Sequence, residues 1–177
     1  IHCITNYVSI NDCANIVLAC GGAPIMAEDI NEVSQITSIC QGLDINIGML
    51  NDNKLSSMLK AGATANELGI PVILDPVGAG SSDYRIKAVQ NLMSNVQFGV
   101  IRGNVSEIKA IAAKQGIHNI SAGVYDTMQK DKSAMGVEAG IADKITDDNI
   151  KEMADFINKL SQKTGAVIAV TGRIDMV

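Results

Sequence analysis

Residues 72–80 read VILDPVGAG, preceded by Ile70-Pro71. A continuous branched run such as IPVILD (70–75) is the pattern of a strand buried on both faces, the kind found in parallel sheets. It runs straight into Asp75-Pro76 and then into a loop holding Gly78 and Gly80. A strand that ends on a carboxylate and opens into residues that hardly restrict the backbone marks a site as well as a fold.

The same grammar extends in both directions. Upstream, DINIGML (44–50) reads as a strand ending at a glycine. Residues 51–68 then place Leu55, Met58, Leu59, Ala65 and Leu68 at helical spacing, and Gly69 closes the segment. Downstream, residues 84–96 set Ile86, Val89, Leu92, Met93 and Val96 on one stripe. FGVIRGN (98–104) is strand then turn, and residues 105–116 form a short helix closed by Gly116. Thr146 before Asp147 and Asp148 predicts a helix start, a capping hydroxyl with acids in the positive first turn. That helix turns Ile150, Met153, Ala154, Ile157 and Leu160 inward, and GAVIAVTG (165–172) is the last strand.

At the N-terminal end, Asn6 and Asn15 flank a helix expected from about Asn11-Asp12 to Gly21-Gly22. Pro24-Ile25-Met26 comes next, then a loop with Glu28 and Asp29. Residues 116–145 are polar and lack a sustained period, so they read as a surface excursion. The alternation predicts an α/β fold: a largely parallel central sheet with right-handed crossovers and helices on both faces. One domain over residues 1–177 is expected, cut at both ends, since it opens on Ile1 and ends just past Thr171-Gly172.

Composition narrows the function. A net charge of −5 without a Lys/Arg stripe argues against a nucleic-acid partner. Aromatic residues at 3 % leave little for base stacking. No apolar run approaches a membrane span, and no secretory leader opens the chain. Cys3, Cys13, Cys20 and Cys40 have no zinc or redox spacing, so they read as small hydrophobes in a reducing cytoplasm.

Ligands of open α/β sheets gather beyond the carboxyl ends of the strands. Past the expected strand ends lie Gly48, then Asp75, then Arg102-Gly103-Asn104 with Glu107, then Thr171-Gly172. Asp75 and Glu107 suit a divalent cation held through oxygen. Arg102 offers a planar fork to phosphate. Gly78 and Gly80 permit close backbone approach. Each residue also has a plain structural use: Asp75 as a turn cap before Pro76, Asn104 with Glu107 as a capping box, Arg102 as a surface ion-pair partner. Their shared position at one edge favours a phosphate or nucleotide site. There is neither a Walker A loop nor a Rossmann fingerprint.

With these residues assembled, HCITNYVSINDCAN, GGAPIMAEDINEV, INIGML, GIPVILDPVGAG, VIRGNVSEI and TGAVIAVTGRID together resemble the hydroxyethylthiazole kinase family. The resemblance spans nearly the whole chain. It implies a ribokinase-like fold, ATP as co-substrate, Mg²⁺, and transfer of phosphate to the alcohol of 4-methyl-5-(2-hydroxyethyl)thiazole for thiamine synthesis. It further implies a homotrimer holding the thiazole between subunits. Carried onto this sequence, it places Met26, Asn6, Val8 and Gly48 around the thiazole. Arg102, Thr171 and Asn104 fall at the nucleotide, and Asp75 and Glu107 near the metal. The family's anion hole and catalytic cysteine belong to a G-T-G-C-type segment expected beyond Val177, so no catalytic residue is assigned among Cys3, Cys13, Cys20 and Cys40. The competing readings are a related vitamin or sugar kinase of the same fold, and a ligand-binding fragment without turnover.

Overall fold

A computed structural model describes residues 1–117 and 145–177, so the excursion expected at 116–145 lies almost wholly outside the described residues. Five strands are each joined to the next by helical connections: β1 (His2–Ile4), α1 (Ile10–Ala19), α2 (Val33–Ser38), β2 (Leu43–Asn46), α3 (Asp52–Glu67), β3 (Val72–Asp75), α4 (Asp83–Asn95), β4 (Val100–Asn104), α5 (Val105–Lys114), α6 (Ile150–Thr164) and β5 (Val167–Thr171). The sheet is parallel throughout, in the order β1-β2-β3-β4-β5.

That order has a geometric consequence. Right-handed crossovers between strands laid down in sequence place each connecting helix on the same side. The residues turned to that side, among them Ile4, Ile45, Leu74, Ile101 and Ile168, are buried with Met58, Leu92, Ile108, Ile111 and Leu160 in one core. Alternate residues point the other way, and there Ile73 and Val167 remain 41 % and 49 % exposed. The α/β class and the parallel sheet are as expected. Helices on both faces were also expected, and among the described residues the packed helices account for one face.

Helix boundaries shift where caps decide them. α3 starts on Asn51, whose side chain accepts from the Lys54 N–H, and α4 starts on Ser82, which accepts from the Arg85 N–H. Thr146 does not cap α6; its N–H donates to Asn149 Oδ1 at 2.9 Å, and the helix begins at Ile150 after that turn. Asn15 lies inside α1 instead of flanking it, and Leu68 of the expected α3 stripe is 55 % exposed. The stripe α3 actually buries runs through Lys54, Met58, Ala61 and Ala65. β1 and α2, three and six residues long, were too short to show a period.

Candidate active site

Because the strands are parallel and in register, their carboxyl tips finish along one edge. Asn46 is opposite Asp75, Arg102 is opposite Ala169, and Asn104 is opposite Thr171. The N-termini of α3, α4 and α5 open at this edge, each capped by a side chain. Their free N–H groups and dipoles make it the anion-favouring side of the molecule. The helix C-termini collect at the opposite edge. A cavity of about 410 Å³ lies there, lined by Asn66, Asn95, Gln97, Gln115, Lys163 and Thr164 among others. Helix C-termini disfavour an anion, so that cavity is the poorer phosphate site.

At the β3 and β4 tips, Arg102 reaches Asp75 Oδ2 with one nitrogen at 3.4 Å. Arg102 is half exposed, and such a pair contributes roughly 0–1 kcal/mol, leaving the rest of the guanidinium fork free. Asp75 Oδ2 also accepts from Asn46 Nδ2 at 3.1 Å, whereas Asp75 Oδ1 is buried with no partner. Burial raises the Asp75 carboxyl above its ordinary range against the pull of Arg102, and the Glu107 charge adds to the rise.

Glu107 occupies a structural position. Its Oε1 accepts from the Gly78 N–H and its Oε2 from the Asn104 N–H, each at 2.8 Å. The Asn104 side chain returns the bond to the Glu107 N–H, completing a capping box. Glu107 thus ties the glycine loop after β3 to the start of α5. The Gly78 amide, expected to face a phosphate, is taken by this carboxylate, and Gly78 itself sits at φ +67°, where a side chain would be strained. Thr171 Oγ1 approaches the Gly103 carbonyl at 3.5 Å, on the strand beside Arg102 and Asn104. The five residues expected at the phosphate end therefore share one neighbourhood.

The residues expected around the thiazole form a second group at the tips of β1 and β2. Asn6 Oδ1 accepts from the Ser9 N–H and hydroxyl, shaping the turn into α1, and Asn6 Nδ2 donates to Asn46 Oδ1 at 3.1 Å. The Gly48 N–H donates to the same Asn46 oxygen at 2.9 Å. A methyl group on Gly48 would lie 2.9 Å from that oxygen and 3.1 Å from Asn6 Cβ, so the backbone approach there requires glycine. Met26 is half-buried, while Val8 is 90 % exposed.

Sequence reasoning missed the residues that bind these parts together. Asn46 joins the two groups, with its oxygen on Asn6 and Gly48 and its nitrogen on Asp75. A polar residue inside the apolar run DINIG was the available signal. Arg85 donates to the carbonyls of Ile47, Val77 and Gly48 at 2.6, 2.9 and 2.9 Å, locking the loop after β2 to the loop after β3. Lys54, on the buried stripe of α3, donates to the Thr5 carbonyl at 2.6 Å. A cation at an apolar phase was its signal. Thr5 Oγ1 and Asp75 Oδ1 are the two buried side-chain polar atoms left without a partner among the described residues, and both lie at strand tips of this edge.

Comparison with known proteins bears on what the edge is for. The family profile described as "HK: Hydroxyethylthiazole kinase family" matches residues 1–177. The chain is 54 % identical over its whole length to hydroxyethylthiazole kinase of Clostridium acetobutylicum and 47 % identical to that of Desulfovibrio desulfuricans. It covers 59 % and 56 % of those proteins, so it spans less than two thirds of their length. The solved structure of hydroxyethylthiazole kinase protein from Pyrococcus horikoshii OT3 superposes with a TM-score of 0.77 at 30 % identity, covering 98 % of this chain and 56 % of that one. Sequence, profile and backbone agree, and the chain belongs to the hydroxyethylthiazole kinase family.

Proposed function

We propose that the intact protein transfers the γ-phosphoryl group of ATP to the primary alcohol of 4-methyl-5-(2-hydroxyethyl)thiazole, a step of thiamine synthesis or salvage. The observation that carries this reading is Asn46, one side chain bonded at once to the alcohol end and to the phosphate end of the same edge. In-line transfer requires acceptor and phosphate to be held at a fixed separation, and most of the work is positioning and charge stabilisation. Asn6 and Gly48, with Met26 and Val8, take the thiazole. Arg102 presents its free fork to phosphate oxygens, with Thr171 and Asn104 beside it.

Mg²⁺ fits the donor set, and Asp75 would hold it. Asp75 Oδ1 is a buried carboxylate oxygen without a partner, whereas each Glu107 oxygen already accepts a backbone N–H, so Glu107 would contribute its charge more than a ligand. No group of three His, Cys, Asp or Glu side chains converges among the described residues. When bound, the ion would neutralise charge developing on the transferred group. Cys3 is buried, and burial together with the weaker push of the Asp44 charge raises its thiol to about 11, which disqualifies it as a nucleophile.

The four cysteines are free, and no described helix is long and apolar enough to cross a membrane, features in keeping with a cytoplasmic enzyme. The protein works as a homotrimer in this reading. The decisive assay scores ATP turnover by the intact protein on the thiazole alcohol, hydroxymethylpyrimidine and ribose, with preference for the thiazole expected. Arg102→Ala should lower kcat/KM for ATP by about 100-fold while thiazole affinity stays within about twofold. Unchanged ATP kinetics would remove Arg102 from the site.

A further inference from the structure

We propose that Lys54 is a positioning residue for the acceptor pocket, its buried ammonium joining the Thr5–Val8 segment to the Met26–Glu28 segment. The inference rests on the acceptor site proposed for the thiazole and assigns a residue that reading leaves out. Lys54 is 4 % exposed and sits where the α3 stripe otherwise carries Met58, Ala61 and Ala65. Burying an ammonium is unfavourable unless its donors are satisfied, and an apolar side chain would serve packing better. What Lys54 gains is a set of partners drawn from two separate segments. Its Nζ donates to the Thr5 carbonyl at 2.6 Å and pairs with Glu28 Oε2 at 2.7 Å. The same nitrogen stands 4.6 Å from the centre of the Tyr7 ring. The Tyr7 hydroxyl donates to the other oxygen of Glu28 and closes a three-membered cluster.

The geometry of the two segments gives that cluster its purpose. Their near ends are already strapped together by backbone. The Cys3 N–H donates to the Ile25 carbonyl at 2.9 Å, the Ile25 N–H to the Ile1 carbonyl at 2.8 Å, and His2 bonds the Ala27 carbonyl through Nε2. Past these straps one segment carries Asn6 and Val8 and the other continues to Glu28, with Met26 between the strapped Ile25 and Ala27. Lys54, Glu28 and Tyr7 join the two segments a second time just past the straps, so they hold the turn that carries Asn6 against the segment that carries Met26. None of the three lies on β3, β4 or β5, which carry the phosphate end, so losing the cluster should act on the acceptor alone.

The test uses intact protein, with steady-state kinetics on the thiazole alcohol and on ATP measured separately, and circular dichroism as the check on folding. Lys54→Met is expected to raise KM for the thiazole alcohol by about 10-fold or more with KM for ATP held within about twofold, since small misplacement of binding groups is costly. Glu28→Gln, at a 41 % exposed side chain that the fold tolerates, should raise the same KM by about threefold. The double variant should be no worse than Lys54→Met, because the two residues act as one unit. An unchanged thiazole KM in folded Lys54→Met overturns the proposal, as does a parallel rise in both KM values. If Lys54→Met fails to fold, Glu28→Gln decides: a selective rise supports the proposal and no change overturns it. Wild-type protein that turns over another alcohol but not the thiazole removes the functional reading itself, a result separable from either outcome.

Discussion

At the scale of single residues, the sheet carries a half-buried acid, Asp44, that the proposed chemistry does not use. Burial, and after it the charge of Asp75, pushes Asp44 up to about 6. The folded chain therefore holds a proton that the unfolded chain releases near pH 4. Between those values the native state binds more protons than the unfolded one, so stability falls as pH rises, and above about 6 the whole cost is present. Asp44→Asn is expected to raise stability at pH 7 by roughly 1–2 kcal/mol and to flatten the loss between pH 4 and 6, read from urea midpoints across that range. A glycine gives the opposite sign. A methyl group on Gly62 would meet Val96 side-chain carbons at 2.5 and 2.8 Å, so Gly62→Ala should destabilise by about 1–3 kcal/mol through overpacking between α3 and the end of α4.

At the scale of elements, α5 makes the clearest case for one motif serving fold and site together. Its capping box satisfies two N–H groups, and the Glu107 carboxylate that completes it also holds the Gly78 loop. Asn104→Ala is expected to cost about 1–2 kcal/mol of stability, seen as a lower melting temperature, because the Glu107 N–H loses its side-chain acceptor. The spacing Asn104-x-x-Glu107 was legible in sequence, as was the alternation of buried strands and helices that fixes the parallel sheet. Register then brought Asp75, Arg102, Asn104, Glu107 and Thr171 together, because in-register parallel strands end at a common edge. What stayed hidden has a physical reason in each case. Asn46, Arg85 and Lys54 each reach a distant partner, Asp75, Ile47 and Thr5 at 29, 38 and 49 residues away, and no local period encodes those contacts. The expected Thr146 cap failed because Asn149, three residues on, offers its side chain to the Thr146 N–H and moves the start of α6. Glu107 was expected near a metal from its place beside Asp75 at one edge and from the family resemblance, and only the folded chain reveals that its two oxygens also accept backbone N–H groups.

At the scale of the whole molecule, α1 stands apart from the packing that explains the other helices. None of its ten residues is buried, although Ile16 and Leu18 are 63 % and 56 % exposed and its composition is apolar. Tyr7 and Val8, on the turn leading into it, add further exposed apolar surface beside Asn6. Exposed apolar residues on α1 and on the turn before it, close in sequence to Asn6, are what an assembly sharing the proposed thiazole site between subunits would require. If α1 meets a second copy of the chain, charge on it should separate the copies: removing a large apolar side chain from a well-packed interface centre costs about 2 kcal/mol or more per site. The double variant Ile16→Asp with Leu18→Asp, made in the intact protein, is expected to shift the mass measured by light scattering from that of the proposed trimer to that of one chain. Its thiazole affinity should fall in the same preparation while the fold, judged by circular dichroism, persists. A variant that stays trimeric would place the interface elsewhere and leave α1 to another covering surface, and a monomer with undiminished thiazole affinity would show that the pocket is complete within one chain.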